Sequence, residues 1–261
     1  MNALHTAPRQ SLEPRLDISI GQVPLRLHSA NESLMRAASA RYSAFAAHPG
    51  EACNIVVENH PEMDSRGLEF TFEFERSVVF TKAGQSHFTG VRNEYALDSL
   101  LRVLLSWKLL SHEGFLLHAA TIVRNGKAYV FAGRSGAGKS TAAAMSPPGS
   151  VLTDEISLLR REERVWRAYG TPFWGDFKAA GSNTSAPVAG IYGLLQAAEH
   201  GLTSLSKCET LRMLLPNVLF FSADPAANQR LLDILSSAVT EIPGYSLAFR
   251  KDPSFWEVLP A

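Results

Sequence analysis

Gly133, Arg134, Ser135, Gly136, Ala137, Gly138, Lys139, Ser140 and Thr141 complete the pattern G-x-x-x-x-G-K-[ST], a combination suited to gripping a nucleoside triphosphate. Small side chains let the backbone curl so that successive N–H groups point inward at phosphate oxygens. The Lys139 ammonium then reaches the β/γ oxygens, and the Ser140 hydroxyl is placed to ligate magnesium. A helix that begins at this point adds its positive end. ATP and Mg2+ are therefore the expected cofactors. Asp154 and Glu155 follow the short stretch Ser150 to Thr153, close enough in sequence to stand beside the loop. A carboxylate there can ligate the metal or accept the proton of an attacking hydroxyl, and which acid takes which role is open from spacing alone.

His118 lies on the apolar run Phe115 to Val123, ahead of the turn that leads into the loop. An imidazole beside a transferring phosphate can position it or exchange a proton; a histidine merely packed on a strand is the plain alternative. Further on, Gly170 to Asp176 combines Pro172 and two glycines, which fix a tight loop, with Phe173 and Trp174 as an apolar wall and Asp176 as an acid able to touch metal or a substrate hydroxyl. Trp174 and Asp176 are the substrate-side candidates, against a reading in which the aromatics only fill the core. Arg134 offers a further cation for phosphate charge, whereas Arg250 reads as surface.

These residues need elements to hold them in place. Lys127 to Ala132 reads as the strand feeding the loop, reached from the strand Phe115 to Val123 through the two-residue turn Asn125 and Gly126. The helix after the loop runs to Met145 and is stopped by Pro147, Pro148 and Gly149. Ser150 to Thr153, Ile156 to Leu159 and Val165 to Tyr169 read as strands, so the surroundings of the loop are rich in β-structure. Leu205 to Leu214 and Asn228 to Ala238 read as helices, Val218 to Phe221 and Tyr245 to Phe249 as strands, and the tail from Pro253 to Leu259 as an aromatic segment packed on the domain. Upstream, Leu16 to Ile20, Val23 to Leu27, Cys53 to Val57, Leu68 to Phe74 and Ser77 to Phe80 carry strand patterns around an alanine-rich helix from Ser33 to Ala47. Tyr95 to Leu110 is apolar around most of its circumference and reads as a buried connecting helix. The chain is thereby expected to divide into a flexible arm, 1–15, an α+β accessory domain, 16–95, and a loop-bearing domain, 96–261.

Twenty-five basic residues balance twenty-five acidic ones, so no global field draws the chain to nucleic acid or to an anionic membrane. Cys53 and Cys208 are the two cysteines and lie far apart without metal-ligand spacing, which argues for reduced thiols. The first ten residues hold no apolar leader and no stretch is long enough to span a bilayer. The expectation is a cytoplasmic protein with no nucleic-acid or membrane partner, self-association being left open.

Leu117, His118 and Ala119, then Gly133 to Thr141, then Leu152 to Glu155 occur in the order and approximate spacing of HPr kinase/phosphorylase, and the chain resembles a distant relative of that family. Gly170 to Asp176 is similar to a segment of the family's relatives found beside peptide-modifying systems. The resemblance implies an α/β (α+β) fold in which a P-loop domain like that of HPr kinase and phosphoenolpyruvate carboxykinase follows a smaller N-terminal α+β domain. It implies that Lys139 and Ser140 bind phosphates and magnesium, that Asp154 is base or metal acid, and that His118 flanks the transferred group. Glu155 departs from the aspartate pair usual at this place. The activity implied is Mg-ATP-dependent transfer of a γ-phosphoryl group to a serine hydroxyl of a peptide, a protein or free serine. The alternative is a nucleotide-binding ATPase switch with no acceptor, and a carboxykinase-like reaction ranks last.

Overall fold

The computed structural model describes residues 14–48, 51–58, 68–74, 77–147, 149–175 and 181–260. Its architecture is mixed α+β with two sheets. The N-terminal sheet is built from β1 (Arg15–Ile20), β2 (Val23–His28), β3 (Cys53–Glu58), β4 (Leu68–Phe74), β5 (Ser77–Lys82) and β6 (Gln85–Thr89), in the spatial order β1-β2-β3-β6-β5-β4. Between β2 and β3 runs α1 (Glu32–Arg41), capped by the Asn31 side chain, which accepts from the Leu34 N–H. The alanine-rich segment expected to stay helical to Ala47 leaves the α-helix at Arg41 and finishes as a 3-10 turn over Ser43–Phe45 that buries Phe45. Alanine content favours helix, but burying Tyr42 and Phe45 decides where this one stops.

α2 (Glu94–Lys108) begins at Asn93, whose side chain accepts from the Ala96 N–H, and buries Leu97, Leu100, Leu101, Leu104 and Leu105. Those leucines belong to one continuous core that joins Ile18, Leu25, Ile55 and Phe88 of the first sheet to Leu116, Ile156, Leu158 and Tyr169 of the second. The boundary expected near residue 95 therefore coincides with a shared core.

The second sheet starts with β7 (Gly114–Arg124) and β8 (Lys127–Ala132), whose connecting residues Asn125 and Gly126 both have positive φ, 52° and 74°. After the loop come α3 (Lys139–Ala144), β9 (Val151–Thr153), β10 (Ile156–Glu162), β11 (Val165–Tyr169), β12 (Ser185–Gln196), β13 (Gly201–Leu205), α4 (Lys207–Leu214), β14 (Val218–Leu219), α5 (Pro225–Glu241) and β15 (Gly244–Phe249). The order is β11-β10-β7-β8-β12-β15-β13, with β9 and β14 also on β7 and a further β11–β12 pairing that closes β11, β10, β7, β8 and β12 into a ring. β12 lies parallel to both β8 and β15. No strand was expected over β12, because Pro187, Gly190 and Gly193 interrupt its pattern; Gly193 faces the Met213 thioether, which leaves no room for a Cβ. The C-terminal tail packs as expected, with Phe255 and Trp256 buried against Phe131 and Tyr129.

Candidate functional site

β7 changes partners at the centre of the molecule. Its first half pairs with β10 and its second half with β8 and β9. His118 stands at that switch, in register with Ile156, and the next N–H, of Ala119, donates to the Glu155 carbonyl at 3.0 Å. Beneath them, the buried Thr121 and Ser157 hydroxyls are 2.7 Å apart, and Ser157 donates to the Ala119 carbonyl. Strand pairing alone thus brings His118 to the bend that carries Asp154 and Glu155 between β9 and β10.

The loop approaches the same point from the end of β8. Gly138 has φ +110°, and a Cβ there would come within 2.5 Å of the Phe249 ring. That close approach lets the chain turn into α3 against β15. Lys139 is buried, and its ammonium donates to the carbonyls of Gly133 at 2.8 Å and Arg134 at 3.2 Å. Burial pushes its pKa below the ordinary lysine value, with the Glu155 carboxylate acting in the opposite direction.

Asp154 is 5% exposed and accepts from the Gly175 N–H at 3.1 Å. Glu155 is half-buried and meets Arg102 of α2, whose Nη2 lies 3.5 Å from Oε2. His118 is held below its ordinary pKa first by burial, then by the positive charges of Lys139 and Arg102. His118, Ser135, Gly136, Gly138, Lys139, Ser140, Thr141, Asp154, Glu155 and Gly175 line one cleft of about 370 Å³. Gly133, Arg134 and Ala137 instead line a separate, apolar cavity of about 470 Å³ behind the loop, opposite Leu194 and Met213.

One substrate-side candidate falls elsewhere. Trp174 is absent from the lining of the cleft; its ring lies under the Arg41 guanidinium, 3.6 Å from centroid to Cζ. Asp176 lies outside the described residues. Two participants escaped the sequence reading. Gly175 was read only as a turn residue because its part is played by a backbone N–H, and Arg102 is an ordinary-looking cation on a helix pattern, so neither carried a signal of its own. Among the described residues, no group of three or more His, Cys, Asp or Glu could hold a metal ion, and no helix is long and apolar enough to cross a membrane.

The cleft thus defines a mixed α+β protein with a glycine-turned lysine loop facing an acid pair. The family model of the SynChlorMet cassette protein ScmC matches residues 96–260, and the chain belongs to that family. No curated protein matches the chain. Among solved structures, the Hpr(Ser) kinase/phosphatase from Coxiella burnetii aligns with a TM-score of 0.26 and 14% identity, covering 46% of this chain and 86% of that one. Similarity at that level assigns neither fold nor activity.

Proposed function

We propose that the cleft binds Mg-ATP and transfers its γ-phosphoryl group to an alcohol, with a serine hydroxyl of a peptide, a protein or free serine as the acceptor. The observation that supports this most is the convergence of Lys139, Asp154, Glu155, His118 and the glycine loop on one polar cleft. The residues fit the cofactor. Ser140 and Asp154 line the cleft and supply the oxygen donors magnesium prefers. A protein donor set this small suits an ion that keeps most of its coordination on water and phosphate. When bound, magnesium would neutralise β/γ-phosphate charge.

The chain's own groups then divide the work. Lys139 exchanges its bonds to the Gly133 and Arg134 carbonyls for phosphate oxygens, while loop amides cradle the β-phosphate. Asp154, held by the Gly175 N–H, orients the acceptor hydroxyl and takes its proton as the new O–P bond forms and the bond from phosphorus to the β,γ-bridging oxygen breaks, leaving ADP. His118, neutral near pH 7, donates or accepts a hydrogen bond without adding charge.

Incubation with γ-labelled ATP, magnesium and serine-containing peptides tests this. Native protein should label the peptide. Lys139→Ala and Asp154→Asn should each lower transfer by about a hundredfold or more, the second with ATP affinity kept within a few-fold. Absence of magnesium-dependent ATP affinity in the native protein would end this reading, and label released only as inorganic phosphate would favour the ATPase switch.

A further inference from the structure

α2 carries two charged residues, Asp98 and Arg102, four positions apart and held very differently. Asp98 is locked: it is buried, ion-paired with Arg41, and accepts from the Tyr42 hydroxyl at 2.5 Å. That anchor fixes the rotation of the helix. One turn on, Arg102 passes over the Phe173 ring at 5.1 Å and ends at Glu155, where a contact of 3.5 Å is its one ion pair among the described residues. Its Nε is buried and makes no hydrogen bond among them. The guanidinium therefore reaches Glu155, itself a lining residue of the cleft, with donors to spare, and its charge is already felt by His118. A planar fork on one long carboxylate contact gains from exchanging it for a phosphoryl group, which offers more charge and two parallel acceptors.

We infer that Arg102 is a γ-phosphate-binding residue: with the cleft empty of nucleotide it pairs with Glu155, and on arrival of a nucleoside triphosphate it moves its donors to the terminal phosphoryl oxygens. This rests on the reading of the cleft as a triphosphate site. It also gives the N-terminal region a role, since Arg41 and Tyr42 hold the helix that presents Arg102. No proton or electron is consumed; one ion pair is exchanged for another.

The test compares Mg-ATP with Mg-ADP by titration calorimetry on the full chain, because only ATP carries the group Arg102 is assigned to. Native protein should bind ATP more tightly than ADP by about tenfold or more. Arg102→Gln should bring that ratio close to one while ADP affinity changes less than about twofold; Arg102→Lys, which keeps a point charge but not the fork, should recover part of the ratio. A purely structural role would weaken both nucleotides together. An ATP/ADP ratio equal in native protein and Arg102→Gln overturns the inference. Should the glutamine variant not fold, an unchanged ratio in Arg102→Lys overturns it equally. Native protein that binds neither nucleotide overturns the triphosphate reading itself, a different result from binding that ignores Arg102.

Discussion

His118 is held below its ordinary pKa because burial and two nearby cations, Lys139 and Arg102, all oppose its protonated form. The unfolded chain takes up this proton near the ordinary value of about 6.5, above the folded midpoint. Below that pH the unfolded state therefore binds more protons, and the stability this site contributes is lost as pH falls through the interval, fully so below the folded pKa. An NMR titration of the His118 ring should give a midpoint under 6.5, and His118→Asn should flatten the acid limb of the stability profile; a midpoint at or above the ordinary value contradicts the packing described. The lysine, hydroxyls and acids around it were legible in the sequence because each belongs to a short pattern whose chemistry depends on residue type and local spacing. Gly175 was not, since its part is a backbone N–H that any residue owns.

The turn from β8 into α3 is the element on which the cleft depends. Gly136 and Gly138 both have positive φ, +80° and +110°, but Gly136 has open space at its Cβ position whereas Gly138 is covered by Phe249. Gly136→Ala should cost about 1 kcal/mol from backbone strain alone, while Gly138→Ala adds a steric clash and should cost about 2–4 kcal/mol together with most ATP affinity. Urea unfolding of the two variants measures the difference; equal losses would mean that Phe249 does not shape the loop. The same contrast explains one strand that was missed. β12 hides its strand character behind two glycines and a proline, and its glycines are demanded by Met213 and Tyr192, side chains that sequence pattern cannot bring into view. α1 ends early because two aromatics after it find the core.

Across the whole molecule, α2 is the common wall of both sheets, and the Arg41–Asp98 pair ties it to α1 with side chains only 5% and 4% exposed. Removing one member leaves the other charge buried, so Asp98→Ala should lower unfolding free energy by about 3–5 kcal/mol. Because the core is continuous through α2, urea unfolding followed by tryptophan fluorescence and by circular dichroism should show one coincident transition for native protein and variant alike. Two separated transitions would show that residues 16–95 and 96–261 fold independently. Burial supplies a second effect on Tyr42: with the Asp98 carboxylate it pushes the phenol well above its ordinary pKa, so the hydroxyl remains a donor throughout the usable pH range.

Residue order alone was enough to find the lysine loop, the acid pair, the strand bearing His118 and the hairpin between, because all lie within about one strand–turn–helix of each other and their contacts are short in sequence. It could not find Arg102 against Glu155, 53 positions away, or Arg41 against Trp174, since such pairs exist only once two sheets close on α2. Trp174 shows the reason most plainly. Its type suited a substrate wall, yet a guanidinium from α1 already lies on its face, and which partner an aromatic ring meets is settled by packing, to which local pattern is blind.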